Sequence, residues 1–451
     1  MKHCSEIDNK IIFACVLCII ICFTQNARAV EIQQVISSRG VKAWLLEDRM
    51  LPITSISFSV LSGASADPVN KAGLSKMVSL LLDEGAGELN SKEFKRVLEN
   101  RSIKMSFSVS KDYFSGSLKT LNRSRIKAFE MLKLAITEPR FDNVDVERIR
   151  SQLLAEIASK RKDPDHIAKE AMWSINFPDH PYASKTLGTD RSIGAITKYD
   201  LHDYVEKRFA LSNMRIGVAG DITPSELAAL LDSTFSQLPK LQVKPIIESI
   251  QPSVRGDVYV YRLRQSQSNI LFSHRGLPRD HPDYYGAYIL NHILGGGSFT
   301  SRLYEEVREK RGLAYSVYSY LLPMKYSALW VGGASTDNLT ASQTIQIIQN
   351  EWGRIHKEQI TQQELSSAQD NITGSLALRF DSTSSISDIL VALQRRKLGV
   401  NYIDERNKKF KSVTLEDLRR IAKKWIDPDF LDFIVVGQPE GLKDVKTLNP
   451  K

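Results

Sequence analysis

The 451-residue sequence contains only four cysteines, and all of them lie near its beginning, at positions 4, 15, 18 and 22. They sit in or beside the apolar run IIFACVLCIIICFT, which follows Lys2 and Lys10 and precedes Ala27 and Ala29 in the spacing of an A-x-A cleavage site. This arrangement is typical of a secretory signal peptide over 1–29, and the run is short for a membrane anchor, the alternative interpretation. Cleavage after Ala29 would leave a chain without cysteine, which excludes disulfides and makes the fold depend on its hydrophobic cores.

Long apolar runs are missing from the rest of the chain, so we expect no stable membrane insertion once the signal peptide is removed. The formal net charge is +9, but the basic residues are mixed with acids, as in EEVREKRG and DERNKKFK, and no basic stripe is interleaved with aromatics. Nucleic acid is therefore not expected as a partner. Export from a bacterium to the periplasm fits these features, whereas Glu6 and Asp8 argue against a mitochondrial transit peptide.

The chain is too long for one hydrophobic core, and its order of elements occurs twice. The stretches that begin at Ile53 and at Ser268 each show the pattern of an alternating strand, a proline-containing turn and an amphipathic helix that ends in glycine. We therefore predict an α+β protein with an N-terminal domain over 30–235 and a C-terminal domain over 255–451. The linker between them, over 236–254, is rich in proline and polar residues.

Histidine is scarce as well. The eight histidines never lie three or four positions apart, so no metal-binding helix motif is present. His166 and Glu170 in HIAKE share a helix face, a spacing more typical of a surface contact.

LGGGSFT follows a helical pattern and does not match a phosphate loop, so its glycines indicate a tight reversal. No G-x-S-x-G elbow occurs, and composition alone leaves a Ser-His-Asp triad open.

The stretch AGLSKMVSLLLDEGAG, residues 72–87, predicts a helix that is apolar on one face and closed by a glycine pair. The apolar face is formed by residues at helical spacing, namely Leu74, Met77, Val78, Leu81 and Leu82. The other face carries Lys76, Ser79 and Leu80. Their offsets, i, i+3 and i+4, are those at which an H-x-x-E-H zinc helix carries its two histidines and its glutamate.

The stretch SRLYEEVREKRGLAYSVYSYL predicts a helix that ends at Gly312, followed by an alternating strand. The inner stripe of this helix consists of large side chains, Leu303, Tyr304 and Val307. Arg308 lies at the edge of the stripe, where an arginine is usually solvated, and Tyr315 lies at the start of the strand, where a tyrosine is usually half-buried. A functional role for the two would require them to point into a shared cavity.

The repeated layout and the stretch SRLYEEVREKRGLAYSVYS closely resemble the pitrilysin and insulysin family of inverted zinc peptidases, the inverzincins. The similarity is greatest to the short two-domain branch that includes the mitochondrial processing peptidase. GASADPVNKAGLSKMVSLLLDEGAG, FPDHPYASKTLGT and SNMRIGVAGDI also occur in family order, so the resemblance covers nearly all of the mature chain. It implies two homologous domains, each a mainly antiparallel sheet with helices packed on one face.

In that family an H-x-x-E-H helix supplies two zinc ligands and the general base, and a later glutamate supplies the third ligand. The resemblance places Lys76, Ser79 and Leu80 on the motif and Glu156 on the later position. A lysine is cationic near neutral pH, a serine cannot act as a carboxylate base, and a leucine has no donor atom. Only Glu156 is retained, so we expect no zinc and no other cofactor in this chain.

The resemblance also implies a partner. In the short branch, a metal-free subunit pairs with a homologous zinc-bearing subunit around a peptide chamber and presents an arginine and a tyrosine to the partner's zinc. These residues correspond to Arg308 and Tyr315, which would bind the substrate peptide and stabilise the oxyanion. Two alternatives remain open at this point, an inert peptide-binding or scaffold protein of the same fold and a complete hydrolase with an unrecognised site.

Overall fold

The computed structural model describes residues 31–242, 246–357 and 359–449, and the predicted signal peptide over 1–29 lies outside them. The strands are β1 (Gln33–Ile36), β2 (Lys42–Glu47), β3 (Ile53–Val60), β4 (Gly85–Ala86), β5 (Leu89–Asn90), β6 (Lys104–Val109), β7 (Phe114–Leu121), β8 (Met214–Gly220), β9 (Val258–Arg262), β10 (Gln267–Arg275), β11 (Ala314–Pro323), β12 (Ala328–Asp337), β13 (Asp432–Gly437) and β14 (Val445–Thr447).

The α-helices are α1 (Leu74–Leu81), α2 (Ser91–Asn100), α3 (Arg125–Thr137), α4 (Asn143–Lys160), α5 (Pro164–Asn176), α6 (Asp190–Ala195), α7 (Lys198–Arg208), α8 (Pro224–Phe235), α9 (Tyr284–Asn291), α10 (Ala341–His356), α11 (Gln362–Gly374), α12 (Thr383–Arg395), α13 (Tyr402–Lys411) and α14 (Leu415–Trp425). Two π-helical turns cover His292–Gly296 and Tyr304–Glu309. No helix within the described ranges combines the length and the apolar character needed to cross a membrane.

Two six-stranded sheets repeat one topology, which confirms the α+β class and the duplication predicted from the sequence. The first sheet has the order β1-β2-β8-β3-β7-β6, and the second has the order β14-β9-β13-β10-β12-β11. Strands β2 and β8 are parallel, as are their counterparts β9 and β13, whereas the next three pairings in each sheet are antiparallel. The two sheets differ only in the edge strand at the start of each order, because β1 lies antiparallel to β2 whereas β14 lies parallel to β9.

The central strands of each sheet are buried on both faces, which explains why β13 is apolar from Phe433 to Val436. On one face of the second sheet, Phe433 and Val435 join the core formed with the helices of the same half. On the other face, Ile434 and Val436 pack with Met172 of α5, a helix from the first half. Alternate side chains of one strand therefore belong to two different cores.

The first sheet receives a helix from the second half in return. Helix α12 lies across β2, β3 and β8. Its contact with β3 is polar: Ser55 Oγ lies 2.8 Å from Thr383 Oγ1, and Ser57 Oγ lies 2.8 Å from Ser387 Oγ. Arg395 Nε donates to Ser59 Oγ at 2.6 Å. The sequence analysis predicts helices on one face of each sheet. In the structure, α12 from the second half covers the other face of the first sheet.

The exchange of helices joins the two halves, and Gln33–Lys451 form one compact unit. The described part of the predicted linker over 236–254 contains no helix or strand. All strands of the first sheet precede the linker and all strands of the second follow it. The domain limits remain a prediction, since a cut at the linker would separate the sheets but would also strip each of them of a covering helix.

Candidate functional site

Helix α1 carries the positions that correspond to the zinc motif, and its apolar face confirms the predicted stripe. Leu74, Met77, Val78 and Leu81 are 5% exposed or less. The helix packs against β6, α4 and α7. It is shorter than the predicted segment 72–87, because the chain leaves helical geometry before Gly85, which has a φ of +112° and opens the two-residue strand β4.

Asp67 fixes the start of α1 from outside the helix. Its carboxylate accepts hydrogen bonds from the backbone N–H groups of Gly73 at 3.2 Å and Ser75 at 3.1 Å, and from Ser75 Oγ at 2.9 Å. These bonds satisfy N–H groups that have no partner within the helix. Asp67 is 9% exposed, and its burial raises the pKa of the carboxyl group to about 7. This contact could not be predicted from a local pattern, since Asp67 lies in a loop ahead of the helix.

Replacement of Asp67 by asparagine should flatten the dependence of stability on pH between about pH 4 and about pH 7. In the unfolded chain the carboxyl group titrates near 3.8, whereas its pKa in the folded chain is about 7. Within this window the folded chain holds a proton that the unfolded chain has released, so Asp67 makes the free energy of unfolding fall as the pH rises. Urea unfolding of both proteins across the window isolates this effect. A constant difference between them would show that Asp67 is ionised throughout.

The motif positions on α1 do not fit a zinc ion. Lys76 is half-buried, Leu80 packs against the core, and Ser79 is 3% exposed and donates its hydroxyl to the carbonyl oxygen of Lys76 at 2.7 Å. Glu156 is an exposed residue of α4. A cation, a hydroxyl engaged with its own helix and an alkyl chain leave Glu156 as the one ligand-type side chain of the four. Within the described ranges, no group of three or more His, Cys, Asp or Glu residues could hold a metal ion.

Arg308 and Tyr315 lie close together in the second half of the chain, on either side of the turn at Gly312. The large residues of the predicted stripe are buried as expected: Leu303 and Val307 are fully buried and Tyr304 is 7% exposed. Gly312, with a φ of +61°, lies in the turn between the π-helical turn Tyr304–Glu309 and β11, so the predicted end of the helix is confirmed.

The guanidinium of Arg308 lies between two aromatic rings. Its Cζ atom is 4.8 Å from the centroid of Tyr304 and 4.9 Å from that of Tyr315. No carboxylate in the described part of the chain forms an ion pair with Arg308, so its in-plane N–H groups remain available as donors. Tyr315 is 83% exposed, which corrects the expectation of a half-buried strand aromatic: the β-bulge between Ala314 and Val317 lies at this residue.

Further aromatic residues extend this surface and were missed by the sequence analysis. Tyr318 and Tyr320 stand on one face of β11 with stacked rings 6.1 Å apart, and each is 42% exposed. Strand β11 pairs with β12 along one side, and its other side has no strand partner among the residues that the structure describes. The alternation of YSVYSY was the available signal, since tyrosines two apart on a strand share a face.

Two family models match most of the chain. The model described as Insulinase (Peptidase family M16) matches residues 45–190, and the model described as Peptidase M16 inactive domain matches residues 195–372. The chain is also similar to curated proteins along most of its length. It is 26% identical over 397 residues to the "Non-peptidase homolog YmxG" of Helicobacter pylori, covering 87% of this chain and 90% of that protein.

A second relative is the "Mitochondrial-processing peptidase subunit beta" of Saccharomyces cerevisiae, 23% identical over 423 residues, which are 89% of this chain and 90% of that protein. Among solved structures, the peptidase M16 inactive domain from Pseudomonas fluorescens is 26% identical and has a TM-score of 0.84. The superposition covers 91% of this chain and 99% of that chain. The chain belongs to peptidase family M16, as an inactive-type member whose positions 76, 79 and 80 carry no zinc ligand.

Proposed function

We propose that this chain is the non-catalytic subunit of a heteromeric zinc peptidase of family M16, and that it completes the activity of a homologous zinc-bearing partner in the periplasm. The observation that carries the proposal is the placement of Arg308 between Tyr304 and the exposed ring of Tyr315, without a carboxylate partner in the described residues. A chain that has lost its own metal ligands retains, on its other half, a cation and a phenol that face outward.

The chemistry of the pair suits peptide hydrolysis on a neighbouring subunit. When water attacks a peptide carbonyl, negative charge develops on the carbonyl oxygen, and hydrogen-bond donors placed there lower the barrier. Arg308 offers N–H donors in a fixed plane and Tyr315 offers one O–H donor. The two flanking rings hold the guanidinium in place before substrate arrives, so little ordering remains to be done during the reaction. The zinc and the general base belong to the partner.

The free side of β11 supplies a place for the peptide substrate. An extended peptide can pair with the unpartnered backbone groups of an edge strand, a mode that reads the backbone more than the sequence. Tyr315 lies on this strand, so a peptide paired there would pass close to the Arg308–Tyr315 pair. The similarity to a protein named as a subunit of the mitochondrial processing peptidase supports an assembly of this kind.

An inert peptide-binding or scaffold protein is the second candidate. The free side of β11 and the exposed rings of Tyr318 and Tyr320 favour it, because both features could hold a peptide without cleaving it. The similarity to a protein named as a non-peptidase homologue agrees with either candidate. The two differ in one property, since only the first raises the peptidase activity of a partner.

Mixing this chain with a homologue from the same bacterium that retains H-x-x-E-H should produce a peptidase activity that neither chain has alone. We expect the purified chain to bind no stoichiometric zinc after dialysis and to cleave no peptide, which elemental analysis and a fluorogenic peptide assay would measure. A partner with its motif glutamate replaced by glutamine is the control for the mixture. Binding of the partner without a rise in turnover would favour the scaffold. Zinc and activity in this chain alone would favour a hydrolase with an unrecognised site.

A further inference from the structure

A small cavity in the second half is lined by four arginines, and none of the described residues in its wall is an aspartate or a glutamate. It has a volume of about 100 Å³ and lies among α9, α12 and α13. The residues that matter to the argument are Arg279, Arg379, Arg396, Arg406, Tyr284 and Tyr402. None of them belongs to the proposed peptidase function, so this cavity is a separate feature of the molecule.

Arg406 is buried, and no carboxylate among the described residues forms an ion pair with it. It is 7% exposed, and its Nη1 donates to the carbonyl oxygen of Ile372 and to Asn407 Oδ1, both at 3.1 Å. Its Cζ atom lies 4.7 Å from the centroid of the Phe410 ring. Burial lowers the pKa of this guanidinium, because no nearby carboxylate compensates for the loss of water. A cation in such surroundings is costly unless an anion joins it.

Arg279 is held by phenols instead of carboxylates. Its Cζ lies 4.2 Å from the ring centroid of Tyr284, and its Nη2 donates to Tyr402 Oη at 2.6 Å. Burial raises the pKa of Tyr402 to about 12, so this phenol keeps its proton at neutral pH. The oxygen of Tyr402 accepts from Arg279, and its hydroxyl also forms a hydrogen bond with Tyr285. The wall of the cavity thus offers guanidinium donors that phenol groups hold in place.

The remaining two arginines are exposed at the rim. Arg379 ends a short 3-10 turn, and Arg396 follows the last residue of α12. No carboxylate in the described ranges pairs with either of them. The four positive charges favour a multivalent anion over a single carboxylate, because the attraction grows with the charge of the ligand. A volume of about 100 Å³ matches roughly three water molecules, which leaves room for one phosphoryl group and its nearest atoms.

We propose that this cavity binds a phosphoryl group, either as free phosphate or as the headgroup of an anionic phospholipid. Arg406 would supply buried charge, Arg279, held by Tyr284 and Tyr402, would supply half-buried charge, and Arg379 and Arg396 would close over the ligand from the rim. Recognition of this kind uses the planar N–H groups of arginine, which match the oxygens of a phosphate.

Calorimetric titration of the full mature chain with inorganic phosphate, at constant ionic strength, tests the proposal. We expect one site per chain and at least a roughly tenfold loss of affinity in a double variant, Arg379→Gln with Arg396→Gln, as charge-assisted hydrogen bonds are removed. Both residues are exposed, so folding should be unaffected. The matched control is Lys397→Gln, which removes one positive charge beside Arg396. Lys397 lines a different, neighbouring cavity together with Lys42 and Arg215, so its loss should leave phosphate binding unchanged.

Co-sedimentation with phosphatidic acid vesicles, compared with phosphatidylcholine vesicles, separates the two sources of phosphate. Capture by the acidic vesicles that the double variant loses assigns the lipid headgroup. Titration with free phosphate and no capture assigns the soluble ion. The proposal is overturned if neither form binds, or if Lys397→Gln weakens binding as much as the double variant does.

Discussion

In the complex with a zinc-bearing partner, Arg308→Ala and Tyr315→Phe should each lower kcat by roughly 100- to 1,000-fold, the usual effect of removing one donor to a developing oxyanion. Tyr315→Phe keeps the ring that stacks on Arg308, so it removes the hydroxyl alone. The loss should appear in kcat more than in KM, because the interaction strengthens in the transition state.

The surroundings of the pair make these variants interpretable. Arg308 is half-buried and has no carboxylate partner in the described ranges, so its removal leaves no acid unpaired. Tyr315 is 83% exposed, and loss of its hydroxyl leaves no buried group without a hydrogen bond. Tyr318→Phe is the matched control, since Tyr318 is an exposed tyrosine of the same strand that does not contact Arg308.

Steady-state kinetics of the partner mixed with each variant, with pairing checked by gel filtration, would measure the effect. A rise in KM at constant kcat would mean that the two residues hold the ground-state peptide instead of the transition state. Full activity with both variants would identify them as ordinary surface residues and favour the scaffold candidate. Equal losses in Tyr318→Phe would show that any change to β11 disturbs the assembly.

Gly217→Ala should destabilise the protein by about 1–3 kcal/mol, the usual cost of forcing extra atoms into a packed interface. A Cβ atom at Gly217 would lie 2.4 Å from the carbonyl oxygen of Ser387 and 2.8 Å from Leu390 Cβ, both on α12. Neither atom is the end of a flexible side chain, so α12 must move away from β8. That movement would strain the hydrogen bond between Ser57 and Ser387.

Urea unfolding would measure the loss, with Gly194→Ala as the control. Gly194 lies in α6, and a Cβ atom there would meet nothing within 4 Å. Alanine favours helical conformation more than glycine, so the control should be neutral or slightly stabilising. Equal stability of Gly217→Ala and the unmodified chain would mean that the contact between α12 and the first sheet adapts at no cost.

The repeat could be predicted from local patterns, whereas the family resemblance was needed to place the zinc motif on positions 76, 79 and 80. Given that placement, residue identity predicts the loss of zinc ligands at Lys76, Ser79 and Leu80, since no packing can turn these side chains into a catalytic ligand set. The two sheets follow from strand and helix periodicities that occur twice in the same order. These features depend on neighbours within one turn or one strand.

The contacts of Arg308 with the rings of Tyr304 and Tyr315 could be established only from the structure. Periodicity assigned Tyr304 to the inner stripe, and the structure keeps it buried, but its ring also forms one wall for the guanidinium. The sequence pattern predicts Tyr315 to be a half-buried strand residue. In the structure it is exposed, because the bulge at the start of β11 lies at this residue. A periodic pattern states which side chains are buried and does not state which cation a ring will contact.

What the sequence by itself determined about this protein is its class, its duplicated order of elements and the absence of a zinc motif. Only the tertiary structure decided that α5 and α12 are exchanged between the halves and that Arg279, Arg396 and Arg406 meet in one cavity. The contact face of α12 toward β3 carries serines and threonine, which give no hydrophobic signal of burial. Contacts between residues far apart in the chain arise from how whole elements pack, and local spacing does not contain that information.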